Sequence, residues 1–161
     1  MTSPLSTIVL LADRPNLARK WAVLHWREWG DEPGREQLSW WVDDASRAIQ
    51  SMRVPVAFIA LGHQDEVLGG VGLHEFDLED RRDRTPWVVG MIVRADLRGA
   101  GIGQALMAYL EAWAVANGIK QVWVATGGRA IVFYQRCGYK HVEYLTFSSQ
   151  AGDTVLTKKF E

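Results

Sequence analysis

The chain has 161 residues and a formal net charge of −1 with a pI near 6.4, so no global field draws it to nucleic acid or to an anionic membrane. Its one cysteine, Cys137, excludes an intramolecular disulfide, and no apolar stretch reaches the length of a membrane span. The length suits a single domain, residues 1–161, and the cysteine usage points to a reduced, cytoplasmic compartment.

The apolar run Ile8 to Ala12 reads as a short buried strand, closed by the turn signal DRPN. No basic segment precedes it, which separates it from a signal peptide. Leu17, Trp21, Leu24 and Trp26 fall near helical spacing in a helix from Leu17 to Trp29, and a second helix is expected from Gln37 to Gln50. Val54 to Leu61 and Val67 to Leu73 are β-rich runs joined by GHQDE as a hairpin, followed by the charged stretch LEDRRDR, whose mixed signs read as a solvated loop. Pro86 to Val93 is the next strand. Gly101 to Asn117 is a strong helix, with Ile102, Leu106, Tyr109, Leu110 and Trp113 on one face and Asn117-Gly118 as its C-terminal cap. Gln121 to Ala125 is a strand, Arg129 to Arg136 a short helix, and Tyr139 to Thr146 with Thr154 to Phe160 an antiparallel hairpin around QAGD. The order β-α-α-β-β-β-α-β-α-β-β defines an α/β fold with a central mixed, mostly antiparallel sheet. Within it, a right-handed crossover makes the strands at 86–93 and 121–125 parallel neighbours.

Three glycines crowd the stretch RGAGIG, Arg98 to Gly103, between a strand and a helix. A helix N-terminus presents unpaired N–H groups and the positive end of the helix dipole. Glycine at 99, 101 and 103 removes Cβ atoms that would hold a phosphate off those amides, and Arg98 adds charge. A tight turn and close packing would also account for the glycines alone. A Walker A loop needs Lys then Ser or Thr after its last glycine, where this chain has Gln104 and Ala105. The dinucleotide pattern G-x-G-x-x-G fails in both frames.

The pattern R-x-x-G-x-G formed by Arg98, Gly101 and Gly103, together with FYQRCGY at Phe133 to Tyr139 and the element order, resembles the GCN5-related N-acetyltransferase superfamily over nearly the whole chain. The resemblance implies that the turn from Arg98 through Gly99, Ala100, Gly101, Ile102 and Gly103 to Gln104 binds the pyrophosphate of acetyl-CoA. It implies that Met91, Ile92 and Val93 bind the pantetheine arm through their backbone. Gly90 interrupts that strand, and a bulge there would turn the Met91 N–H toward the thioester oxygen, a donor worth ~3 kcal/mol to the transition state. Tyr134 matches the family's general acid; a free phenol titrates near ~10 and a thiol near ~8.5, so it is protonated at neutral pH and able to donate to a departing thiolate.

Two departures stand out. Gly127 occupies the place where many relatives carry an asparagine that contacts pantetheine. No carboxylate lies between Pro86 and Val93, where relatives with a general base often keep a glutamate. A lysine-like amine costs ~4.6 kcal/mol to deprotonate at pH 7 and an α-amine only ~1, so a weakly basic acceptor needs little help. If a base is required, Glu75 and Asp77 on HEFD are the candidates, their alternation placing both on one sheet face; the same residues also read as a solvated hairpin end.

Five of the eight tryptophans, Trp21, Trp26, Trp29, Trp40 and Trp41, lie in the first two helices, where core packing competes with an aromatic pocket for a cationic substrate. The four histidines lack metal-ligand spacing, so no metal is expected. The expected activity is transfer of the acetyl group of acetyl-CoA to a primary amine, first of a small molecule, with a homodimer left open. A peptide N-terminus or lysine as acceptor, and a non-catalytic acyl-CoA-binding module, are the alternatives.

Overall fold

The computed structural model describes residues 3–50, 53–149 and 152–161. They contain seven strands and four α-helices: β1 (Thr7–Leu10), α1 (Ala18–Trp29), α2 (Leu38–Ser46), β2 (Val56–Leu61), β3 (Val67–His74), β4 (Trp87–Val93), α3 (Ile102–Ala116), β5 (Gln121–Thr126), α4 (Ala130–Arg136), β6 (Lys140–Ser149) and β7 (Gly152–Lys159). The expected element order holds throughout. Several boundaries shift: β1 gives way at Leu11 to a 3-10 turn, β2 begins at Val56 rather than Val54, α2 spans Leu38–Ser46 rather than Gln37–Gln50, and β6 runs on to Ser149 rather than ending at Thr146. Gln150 and Ala151, half of the QAGD turn, lie outside the described residues.

The chain groups into two compact units, each built from two stretches: Met1–Gly72 with Gly90–Leu110, and Leu73–Val89 with Glu111–Glu161. The first unit holds β1, β2, most of β3 and the end of β4; the second holds the end of β3, the start of β4, and β5, β6 and β7.

In the first unit β1 and β2 pair antiparallel, from Thr7↔Leu61 to Leu10↔Phe58. β2 is VAFIAL and buried at every position, as an apolar strand must be when both its faces are covered. On one side Ala57, Ile59 and Leu61 join Trp21, Ala22, Trp41 and Ala45 of α1 and α2 in one core; on the other, Phe58 meets the Tyr109 ring of α3 edge-on at 5.6 Å. The inward face of α1 is Ala18, Trp21, Ala22 and His25. Of the expected stripe, Leu17 and Trp21 are buried and Leu24 packs half-buried against the same core, whereas Trp26 is exposed. On α3, Ile102, Leu106 and Leu110 are buried at i, i+4 spacing. Tyr109, expected among them, remains 42% exposed.

In the second unit β4 runs parallel to β5 at Trp87↔Trp123 and Val88↔Val124, as the crossover rule requires. The β5–β7 and β6–β7 ladders are antiparallel. Leu78, Trp87, Ala125 and Val155 form the core here. β3 ends at His74, so Glu75 and Asp77 stand on the bends that follow it, both exposed. The expectation that they share a sheet face is therefore corrected: the pleat that would alternate them stops one residue before Glu75.

Candidate active site

Gly90 takes a left-handed φ of +63° in the middle of β4, a conformation that costs an L-residue steric energy and glycine almost none. A glycine with this geometry inside a strand reorients the peptide that follows it. The Gly90 carbonyl accepts a hydrogen bond of 2.8 Å from His25 Nε2 on α1. Close packing extends along the strand: a Cβ on Gly69 of β3 would stand 2.4 Å from the Ile92 carbonyl oxygen, so only glycine admits β4 at that distance. Met91 and Val93 are half-buried and Ile92 is buried.

Beyond Val93 the chain makes a 3-10 turn, Ala95–Leu97, and then the glycine turn into α3. Gly99 and Gly101 hold φ of +85° and +86°, and a Cβ added at either would meet nothing within 4 Å. Their glycines therefore serve backbone conformation and leave open space above the amides. Arg98, Gly99, Ala100, Gly101 and Gln104 are exposed, whereas Ile102 and Gly103 are buried where α3 begins. Arg98 is committed to the turn itself: its Nε donates to the Val93 carbonyl at 2.9 Å and its guanidinium faces Glu28 of α1 at 3.3 Å. Arg94, absent from the expected set, anchors the same segment through Asp96 at 2.7 Å and through Glu66.

A cavity of about 400 Å³ in the first unit is lined by Arg19, Lys20, Val23, Leu24, Arg27, Glu66, Val67 and Arg94. None of the expected site residues lines it. Four cations against one carboxylate make it basic.

In the second unit Tyr134 lies on α4, 4% exposed, its ring edge-on to Phe133 at 5.1 Å and to Tyr139 at 5.5 Å. Burial, and after it the charges of Cys137 and Asp77, push its hydroxyl well above the ordinary tyrosine value. The phenol stays protonated across the neutral range, and Asp77 comes within electrostatic reach of it. Below Tyr134, Glu111 accepts from the Tyr139 hydroxyl at 3.1 Å and from Lys158 Nζ at 2.7 Å, while Lys158 also donates to the Cys137 carbonyl at 2.7 Å. A lysine on the last carbonyls of a short helix satisfies its unpaired acceptors and its dipole. This brace joins α3, the segment that follows α4, and β7, and left no local signature in the sequence. Cys137 is half-buried and its thiol is pushed up, first by burial, the opposite of an activated nucleophile.

The tryptophan-rich helices turn out to hold a cation of the chain itself: the Arg35 guanidinium lies 4.5 Å from the centre of the Trp40 ring. No group of three His, Cys, Asp or Glu able to hold a metal ion occurs among the described residues, and no described helix is long and apolar enough to cross a membrane. The charged stretch after β3 is less solvated than its composition suggests. Arg81 and Arg84 both bind Glu143 of β6 at 2.7 Å, and Arg84 also covers the Trp123 ring at 5.1 Å.

His25 carries no catalytic or metal-binding motif in the sequence. Its signal was there in the spacing Trp21, His25, Trp29, which puts a polar ring in the middle of an apolar i, i+4 stripe.

The sequence pattern described as the Acetyltransferase (GNAT) family matches residues 16–139. No curated protein matches the chain. Among solved structures, an aminoglycoside 6'-N-acetyltransferase complexed with coenzyme A is similar at 18% identity and a TM-score of 0.74, covering 96% of this chain and 97% of that one. An aminoglycoside 6'-acetyltransferase type Ii is similar at 21% identity and 0.74, with the same coverage of 96% and 97%. GCN5 of Tetrahymena is similar at 14% identity and 0.70, covering 97% of each chain. At these identities the likeness establishes the fold.

Proposed function

The chain belongs to the Acetyltransferase (GNAT) family, and from that premise we propose that it transfers the acetyl group of acetyl-CoA to a primary amine of a small molecule. The observation that carries the reading is the turn into α3. Two left-handed glycines with open space over them, at the start of a 15-residue helix, are what backbone amides need to approach a pyrophosphate. The residues present fit the donor: Arg98 through Gln104 would hold its phosphates, and the backbone of Met91, Ile92 and Val93 its pantetheine arm. The donor supplies an activated thioester.

Around that thioester the chain contributes two groups. The Met91 N–H donates to the carbonyl oxygen as negative charge develops there. The Tyr134 hydroxyl donates to the sulfur as it departs. Because burial raises its pKa, Tyr134 keeps its proton until the sulfur gains charge, passes it to the departing thiolate, and is reprotonated by the proton the attacking amine releases through solvent. The acceptor enters as the neutral amine. A small-molecule acceptor is supported by the two aminoglycoside acetyltransferases of like fold, and a weakly basic amine needs no carboxylate base.

Calorimetry with acetyl-CoA and release of CoA across an amine panel test the proposal. Tyr134→Phe is expected to lower kcat ~10²-fold with little change in acetyl-CoA affinity. Full turnover by the variant at every pH would remove Tyr134 from the mechanism. A folded protein that neither binds acetyl-CoA nor releases CoA would overturn the activity itself.

A further inference from the structure

We propose that His25 is a positioning residue for this reaction: by holding the Gly90 carbonyl on the α1 side of β4, it aims and polarises the Met91 amide that meets the thioester oxygen. The inference rests on the acetyl-transfer reading and adds to it a residue outside the strand, the glycine turn and α4.

Covalent geometry comes first. The cis peptide bonds among the described residues precede Pro55 and Pro86, so the Gly90–Met91 bond is trans. In a trans peptide the N–H points opposite to the C=O of the same unit. A donor that fixes the direction of the Gly90 carbonyl thereby fixes the direction of the Met91 N–H. His25 Nε2 is that donor at 2.8 Å; a carbonyl oxygen only accepts, so Nε2 carries the proton. Withdrawal of electron density by this bond also strengthens the N–H as a donor, the cooperative effect of a hydrogen-bonded chain.

Next is rigidity. The imidazole is 5% exposed and packed among three indoles, with ring centres 4.6 Å from Trp21, 5.4 Å from Trp29 and 5.9 Å from Trp41. It has no room to swing away from the carbonyl. A Cβ on Gly90 would stand 3.2 Å from His25 Nε2, so the glycine and the histidine occupy one another's limits. Burial lowers the pKa of His25 to about 4, which keeps the ring neutral, with a single N–H committed to Gly90, at any pH where a neutral amine is available.

An apolar side chain would fill this place among tryptophans without the cost of desolvating an imidazole. What it could not do is satisfy the carbonyl that the left-handed glycine turns out of line. That satisfaction alone would be a stability role, so the test must separate aiming from packing.

His25→Leu removes the donor and keeps an apolar side chain; His25→Gln returns an N–H to a similar reach. The Leu variant is expected to lower kcat for CoA release ~10–100-fold while the Kd for acetyl-CoA, by calorimetry, stays within about threefold, and the Gln variant to recover most of the lost kcat. Full turnover by a folded Leu variant overturns the proposal, as does a loss of acetyl-CoA affinity equal to the loss of kcat. Should the Leu variant fail to fold, nitrogen NMR of the wild-type ring decides: an Nε2–H tautomer coupled to the Gly90 carbonyl is expected, and an Nδ1–H tautomer overturns it. A folded wild type that neither binds acetyl-CoA nor releases CoA with any amine brings down the acetyl-transfer reading. Wild-type turnover matched by the Leu variant brings down only the role of His25.

Discussion

At the scale of single residues, Gly90 shows how one backbone angle can organise chemistry. Its φ of +63° places alanine in a region that costs an L-residue about 1–2 kcal/mol, which in a chain of this size lowers Tm by roughly 2–8 °C. Gly90→Ala also pushes a methyl toward His25, so CoA release is expected to fall more than stability alone explains; an unchanged Tm in a thermal melt would show that this backbone conformation costs other residues nothing. The glycine itself was legible as an interruption in an apolar strand. Its partner was not, because the hydrogen bond from His25 spans 65 residues, and no local pattern encodes a contact at that separation. Tyr134 shows the converse. Its place in FYQRCGY was readable, but the burial that raises its pKa comes from Phe133, Tyr139 and the fold around α4.

At the scale of elements, helices and strands were the easiest to read, since apolar periodicity and turn residues act locally. The glycine turn offers a direct test with an internal control. Gly34 has nearly the same φ, +83°, as Gly101 at +86°, and open space surrounds both. Gly34→Val and Gly101→Val should therefore lose similar stability, on the order of 1–2 kcal/mol, while only Gly101→Val weakens acetyl-CoA binding, by ~10-fold or more, through the isopropyl group set over the amides. Equal affinities in the two variants would deny the turn its binding role. The charged stretch after β3 was read as solvated from its mixed signs. Arg81 and Arg84 instead reach Glu143 on β6, because β6, paired with β7, brings a carboxylate to them from about 60 residues away. In the aromatic helices, where core packing competes with a cation site, Trp21 and Trp41 are buried in the core and the cation over Trp40 is Arg35 of the chain itself.

At the scale of the whole molecule, the response to acid sums what individual burial and pairing create. His25 has its pKa lowered from 6.5 to about 4 by burial. The native state holds it neutral while the unfolded chain takes up a proton first, so its share of stability is intact above about pH 6.5 and falls by up to ~3 kcal/mol as pH drops toward 4. Glu143 is lowered from 4.5 to about 2, first by Arg81 and then by Arg84; its share is present above about pH 4.5 and is lost as pH falls through 2. Urea midpoints measured from pH 7 to pH 2 should therefore decline in two stages, and His25→Gln should abolish the upper one. A flat midpoint between pH 6.5 and 4.5 would contradict a buried neutral histidine. Taken alone, the sequence determined the order of elements, the parallel pairing of β4 with β5, the glycine turn and the tyrosine motif, because periodicity, turn chemistry and short motifs are properties of neighbours along the chain. Only the tertiary structure decided that His25 meets Gly90, that Lys158 and Tyr139 converge on Glu111, that Arg81 and Arg84 share Glu143, and that Glu75 and Asp77 leave the strand. Each of these depends on where a strand stops or on side chains brought together from distant stretches, and burial, pKa and hydrogen-bond direction have no value until those stretches meet.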